Sequence, residues 1–259
     1  MAEIMTGAEP QEWTGSGELA DVGVLVLHGF TGNPQSMRPL AQAIADAGCT
    51  VSMPLLPGHG TAVEDMLPTR WADWSAAAAQ AWTALAGRTR TTVVAGLSMG
   101  GTLTAWLGTR HPEIAGLILV NPLIDGTQPG VTGLVEQLRG PEVQGAGVEL
   151  VPGIGSDIAL EGSVESAYPM TPVQPLLDLH SVLAPLVPEL GSITCPSLVF
   201  TSPQDHVVEP ASSDTYAQYV GGPVERVTLE RSFHVATLDH DASLIEERSV
   251  DFVRRVAAG

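Results

Sequence analysis

A serine, an aspartate and a histidine in this chain are placed so that they could pass one proton between them. Ser98 lies in Gly96-Leu97-Ser98-Met99-Gly100, Asp205 in Pro203-Gln204-Asp205-His206-Val207-Val208, and His234 in Ser232-Phe233-His234-Val235. A serine hydroxyl is a poor nucleophile until a base removes its proton, and an imidazole base needs an acid to orient it. The expected chemistry is attack of Ser98 Oγ on a carbonyl carbon, with His234 as base and Asp205 as orienting acid. Glycines two before and two after Ser98 leave room where a Cβ would meet a neighbouring strand or helix. Composition alone gives about 0.2 matches to G-x-S-x-G in a chain this long, so the string needs its context. Acyl transfer also needs donors for the developing oxyanion, each worth about 3–4 kcal/mol. The expected donors are the N–H of Met99, directly after the serine, and the N–H of Phe30, where Gly29 and Gly32 allow close backbone approach.

Each role has rivals. Asp125 also follows a strand and stands as an alternative acid, though its place reads as the entry to an inserted segment. His206 adjoins Asp205, but adjacent loop residues tend to point apart. His240 and Asp241 read as a cap for the last helix, His28 as a buried structural histidine, and His59, between two glycines, as a turn residue supporting the site. His111 and His180 read as residues of the surface or the inserted segment.

The elements that must hold these residues follow from hydropathy. Val22–Leu27 is a continuous apolar run, which suits a strand covered on both faces of a parallel sheet. Asn33-Pro34 starts a helix through Ala47, closed by Gly48. Strands follow at 49–53, 91–95 and 115–120, with helices at about 70–86 and 102–110. The N-terminus before Val22 reads as irregular. After residue 195 the alternation resumes with a strand at 196–201, a helix near 211–220, a strand at 224–230 and a helix at 241–257. Repeated strand–helix units imply a mostly parallel sheet with helices on both faces, and Ser98, Asp205 and His234 then share the edge where its strands end. Residues 122–195 break the pattern, being rich in Gly, Pro, Val and Leu with helical periodicity only at 132–139 and 175–184. So long a loop would be abnormal, and the stretch is expected to be an inserted cap between the core segments 1–121 and 196–259.

At 259 residues with 44% hydrophobic content, one large α/β domain is the natural size. A formal net charge of −18 repels phosphate backbones and anionic surfaces, so nucleic acid is an unexpected partner. All eleven basic residues are arginine, which removes lysine Schiff-base chemistry and the P-loop lysine. Cys49 and Cys195 read as small buried residues rather than a disulfide framework, and no Cys/His cluster has zinc spacing. Met1-Ala2-Glu3-Ile4 lacks an apolar leader and no run approaches bilayer length, so a cytoplasmic location without metal or cofactor is the expectation.

Leu27-His28-Gly29-Phe30-Thr31-Gly32, Pro57-Gly58-His59-Gly60, Gly96-Leu97-Ser98-Met99-Gly100-Gly101, Asp205-His206-Val207-Val208 and Phe233-His234-Val235-Ala236-Thr237-Leu238-Asp239 together resemble the serine α/β-hydrolase family, in its order and over most of the chain. The last motif, continuing to Glu247-Arg248-Ser249, is similar to the bacterial carboxylesterase and monoacylglycerol lipase branch. The resemblance implies an α/β-hydrolase fold with a small cap. It also implies carboxylic esters as substrates, with Ser98, Asp205 and His234 as triad and Phe30 and Met99 as oxyanion donors. Relatives that hydrolyse monoglycerides tend to carry a polar or acidic residue, contacting glycerol, at the place matching the stretch after Ala167-Tyr168. Here Pro169 and Met170 follow, with Glu165 or Glu161 as substitutes. The apolar residues Ile154, Ile158, Val164, Leu176, Leu177, Leu179, Val182 and Leu183 fit an acyl-chain tunnel and ordinary packing of the cap equally well. The expected activity is hydrolysis of short- to medium-chain acyl esters or monoacylglycerols through an acyl-enzyme. A thioesterase, acyltransferase or perhydrolase with the same triad is an alternative, and so is a non-catalytic ligand receptor.

Overall fold

Four strands whose side chains are buried at every position, Val22–Leu27, Thr50–Met53, Gly116–Val120 and Ser197–Thr201, form the centre of the computed structural model together with Thr91–Leu97. Residues 3–258 are described. Met1 and Ala2, part of the leader-free reading above, and Gly259 lie outside them. In chain order the elements are β1 (Gln11–Trp13), β2 (Val22–Leu27), α1 (Arg38–Asp46), β3 (Thr50–Met53), α2 (Val63–Met66), α3 (Trp71–Ala86), β4 (Thr91–Leu97), α4 (Met99–Arg110) and β5 (Gly116–Val120). Then come α5 (Pro129–Arg139), α6 (Pro141–Gln144), β6 (Leu150–Pro152), β7 (Met170–Pro172), α7 (Val173–Leu186), β8 (Ser197–Thr201), α8 (Ala211–Tyr219), β9 (Val224–Thr228) and α9 (Ala242–Ala258).

The main sheet has seven strands in the order β1-β3-β2-β4-β5-β8-β9. All its pairings are parallel except that of β1 with β3. The central strands read as unbroken apolar runs because both their faces are covered. Alternate residues feed two cores. Leu25, Leu27, Leu117, Leu119 and Val199 pack with Trp74 and Leu85 of α3 and Leu103 of α4. Val24, Val26, Ile118, Val120 and Phe200 pack with Leu40 and Ile44 of α1 and Phe252 of α9.

The structure departs from the sequence reading at several ends. The N-terminus is not wholly irregular: β1 pairs Gln11 with Met53 and Trp13 with Val51. The 33–47 helix begins as a 3₁₀ turn, Pro34–Met37, whose Asn33 side chain accepts from Gln35 N, before α1 takes over. β4 runs on to Leu97, and α4 begins at Met99 rather than Thr102, so the turn holding Ser98 is one residue wide.

Between β5 and β8 the chain adds no strand to the main sheet. It forms α5, α6, a separate two-stranded antiparallel sheet of β6 and β7, and α7, followed by a 3₁₀ stretch at Val187–Ser192. Leu179 and Leu186 of α7 pack into the core shared with α3 and α4, and Asp178 accepts from Trp71 N at 2.7 Å, tying α7 to the first turn of α3.

Candidate active site

The turn between β4 and α4 is shaped by what it cannot accommodate. A Cβ on Gly96 would lie 2.1 Å from Gly100 O, and one on Gly100 would lie 2.2 Å from Leu27 O. Both obstacles are backbone, so neither can yield. This closeness forces Ser98 to φ 56° and ψ −118°, a strained conformation for a residue with a side chain. Its N–H donates to Val120 O at 3.0 Å, and its carbonyl accepts from Thr102 N at 3.1 Å and Leu123 N at 3.3 Å. The Thr102 bond opens the ladder of α4, so the N–H groups of Met99, Gly100 and Gly101 precede it with no intrahelical partner. Gly29 abuts the serine from the β2 side; a Cβ there would lie 3.4 Å from Ser98 Cβ. This brings the backbone around Phe30 alongside Ser98.

His234 follows β9, and Asp205 follows β8. His234 Nδ1 bonds Asp205 Oδ2 at 2.7 Å, with the two side chains 8% and 2% exposed. The other Asp205 oxygen accepts from Val207 N and Val208 N, both at 2.8 Å. The imidazole is thereby fixed through Nδ1, which leaves Nε2 to exchange a proton. Burial disfavours the imidazolium, but the charge and hydrogen bond of Asp205, with the charges of Glu165 and Asp157, outweigh it. The pKa of His234 is raised above the ordinary 6.5.

Ser98, His234, Gly29 and Phe30 line one cavity of about 190 Å³, whose far wall comes from residues between β5 and β8. Ile154, Leu176, Leu179 and Leu183 line it too. Ile158 and Val182 pack against the cores instead, and Val164 is 67% exposed. The tunnel and packing readings therefore divide residue by residue. Glu165 also lines the cavity, against Gly32, and loss of hydration raises its pKa above the usual carboxylate value. Glu161 is exposed, as is Pro169.

The rival residues lie elsewhere. Asp125 accepts from Thr127 and Gln128 in its own turn and from Thr215 of α8. His206 Nδ1 meets Asp157 Oδ1 at 2.8 Å, and its ring packs edge-on against Phe233. His28 donates from Nδ1 to Gly29 O and accepts Leu56 N on Nε2, a wholly buried bracing role that holds its pKa down to about 4. His59 is buried beside it and beneath Phe30, with its pKa pushed down to about 3 by burial. His111 stacks on Trp82. His180, of the two places read for it, lies in the inserted segment, on α7: it is half-buried, donates to Gly126 O and lines the cavity. Asp241 stands at the cap position of α9, its main-chain oxygen accepting from Ile245 N at 3.0 Å, but its carboxylate accepts from Arg231 N and Ser232 Oγ, and His240 is exposed.

Three polar residues of the site escaped the sequence reading. Asn121, at φ 42°, donates to His234 O at 2.8 Å and accepts from Ser202 N, joining the loops after β5, β8 and β9. Asp239 accepts from Phe233 N on one side and from Ala159 N and Leu160 N on the other. Asp157 accepts from His234 N at 3.0 Å. Asp239 lies in a motif singled out above; Asn121 and Asp157 carry no spacing signal.

A serine at a helix start and a histidine bonded to a buried aspartate, both lining one cavity, are the parts of a nucleophilic hydrolase. Comparison with known proteins points the same way. The family described as "Serine aminopeptidase, S33" matches residues 20–241. A thermostable monoacylglycerol lipase of Bacillus sp. (strain H-257) is 42% identical over 257 residues, covering 98% of this chain and 97% of that protein. A carboxylesterase of Bacillus subtilis (strain 168) is 26% identical over 95% of this chain and 97% of its own. Among solved structures, one described as "LipS and LipT, two metagenome-derived lipolytic enzymes" superposes with a TM-score of 0.88 at 41% identity, over 98% of this chain and all of that one. A soluble variant of the Saccharomyces cerevisiae monoglyceride lipase superposes with a TM-score of 0.74 at 14% identity, over 99% of this chain and 95% of that one, and speaks for the shared fold alone. A mostly parallel sheet with a serine at a strand–helix turn and a family match across 20–241 lead to one assignment: the chain belongs to the serine aminopeptidase S33 family of α/β-fold serine hydrolases.

Proposed function

We propose that the protein is a serine carboxylic-ester hydrolase acting on monoacylglycerols or short- to medium-chain acyl esters. The observation that carries this reading is the buried Asp205–His234 bond at the wall of the cavity that Ser98 lines, in a chain 42% identical to a monoacylglycerol lipase. His234 Nε2 takes the Ser98 proton as Oγ attacks the ester carbonyl. The N–H groups of Phe30 and Met99 hold the tetrahedral oxyanion. The imidazolium, balanced by Asp205, then protonates the departing alcohol. Water enters and clears the acyl-enzyme by the same route in reverse.

Residues 122–195 act in this reading as a cap whose apolar wall receives the acyl chain. Glu165 is the acidic group in the cavity wall nearest to the place where Pro169 and Met170 leave none. Among the described residues no helix is long and apolar enough to cross a membrane. The cytoplasm is the proposed compartment, and cell fractionation tests it.

The deciding experiment is Ser98→Ala assayed with p-nitrophenyl esters and monoacylglycerols, beside labelling by a fluorophosphonate. Ester hydrolysis is expected to fall at least roughly 10³-fold and labelling to vanish. Undiminished labelling of the variant would remove Ser98 from the mechanism. Thioesters and peroxide as alternative reactants in the same assay separate a thioesterase or perhydrolase from an esterase.

A further inference from the structure

One residue outside the triad holds the base directly. Asp157 lies between β6 and β7, in the stretch that contributes nothing to the main sheet, yet its contacts run to the two loops that carry Asp205 and His234. Its Oδ2 accepts from His234 N at 3.0 Å and from His206 N at 3.2 Å. Its Oδ1 meets His206 Nδ1 at 2.8 Å. Its main-chain oxygen accepts from Val235 N at 3.0 Å. Four hydrogen bonds from the base loop and its neighbour thus end on one residue, whose side chain is 11% exposed and lines the cavity.

The neighbouring residues extend the seam. Asp239 accepts from Ala159 N and Leu160 N as well as from Phe233 N, and Ser163 Oγ donates to Leu238 O at 2.8 Å. Residues 157–163 are therefore joined by hydrogen bonds to His234 and to the segment that follows it, 235–239.

We propose that Asp157 is a positioning residue for His234, fixing the backbone N–H of the base while Asp205 holds its imidazole, and adding a further negative charge against the imidazolium. The role rests on the reading of His234 as general base. A carboxylate that accepts from the backbone N–H of the base holds the imidazole at the angle Asp205 requires, and misplacement of a reacting group by about 1 Å costs roughly 100-fold in rate. The charged groups facing His234 are Asp205 from the loop after β8, with Asp157 and Glu165 from the stretch between β5 and β8. Asp157 itself is faced by His206.

Asp157→Asn preserves size and one acceptor oxygen but removes the charge, and Asp157→Ala removes the hold as well. For Asp157→Asn, kcat is expected to fall roughly 10-fold with KM changed less than about 3-fold, because the substitution acts through His234 while keeping the size of the side chain in the cavity wall. The acid limb of its kcat/KM profile is expected to move to lower pH by roughly half a pH unit, because the imidazolium loses a stabilising anion. His206→Ala breaks the side-chain pair but leaves the His234 N–H bonded to Asp157. It is expected to keep kcat within about 3-fold of the unsubstituted protein and not to lower the acid limb.

A lowered Tm in Asp157→Asn with kcat and pH profile unchanged would show Asp157 to be structural glue and overturn the proposal. So would a loss in His206→Ala as large as that in Asp157→Asn. His234→Ala, measured beside them, separates the two levels. Retained ester hydrolysis in that variant sinks the base assignment and this inference with it. A dead His234→Ala beside an unaffected Asp157→Asn sinks this inference alone.

Discussion

The strand–turn–helix around Ser98 and the stretch between β5 and β8 treat glycine in opposite ways. In the first, a methyl group on Gly96 or Gly100 would sit within 2.2 Å of backbone oxygen. In the second, Gly133, Gly147, Gly155 and Gly162 have nothing within 4 Å of where a Cβ would stand, although the last three are held at positive φ and Gly145 would meet Pro141 O at 2.5 Å. The turn is built by exclusion, since its geometry exists only because nothing else fits. The intervening stretch is built by attachment, through Asp157, Tyr168 and Asp178 reaching back to the body. The turn is fixed where packing permits no alternative, and the segment that forms the wall opposite Ser98 holds positions, such as Gly133, where packing permits one.

The sharpest way to break this contrast is a pair of identical substitutions. Gly100→Ala is expected to abolish folding or cost more than about 4 kcal/mol in chemical denaturation, with activity lost, because the obstacle is the β2 backbone. Gly133→Ala, inside α5, is expected to add about 0.5–1 kcal/mol. Similar outcomes at the two sites would erase the distinction.

The next test compares two aspartates at strand ends. Asp205→Asn is expected to reduce kcat/KM roughly 10³-fold or more, because the imidazole loses its orienting anion. Asp125→Asn, whose partners are Thr127, Gln128 and Thr215, is expected to change it only a few-fold. A larger loss at Asp125 would move the acid to the other strand.

The pH profile comes third. A base must be neutral to act, and the pKa of His234 lies above 6.5. Ester hydrolysis measured by pH-stat is therefore expected to decline as pH falls through a value higher than 6.5, with an acid limb displaced upward relative to a free imidazole. A limb below 6.5 would mean that burial outweighs the carboxylates.

The smallest effect belongs to the wall opposite Ser98. Leu176→Trp is expected to narrow the cavity, cutting kcat/KM about 10-fold for longer p-nitrophenyl acyl esters and less than about 2-fold for acetate. Equal losses at all chain lengths would place Leu176 outside the acyl path.

The same contrast explains what could be read from the residues. β2, β4, β5 and β8 were legible because both faces are covered and the runs are unbroken. Ser98, Asp205 and His234 were picked out because glycines and strand ends surround them, and the structure brings the last two together at 2.7 Å. β1, β6 and β7 are three residues each, too short to show a period. Asp157 bonds His234 across 77 residues of sequence, a relation no local pattern encodes. Asp241 was legible as the residue that opens α9, and its main-chain oxygen does so, but the N–H of Arg231 and hydroxyl of Ser232 claim its carboxylate, which position alone does not foretell.

The left-handed backbone of Ser98 carries a consequence for durability. A residue at φ 56° and ψ −118° stores roughly 1–3 kcal/mol that glycine would not. Ser98→Gly should therefore melt about 2–4 °C higher than the unsubstituted protein while cleaving nothing. At this one position, endurance and turnover are competing demands on the same two torsion angles.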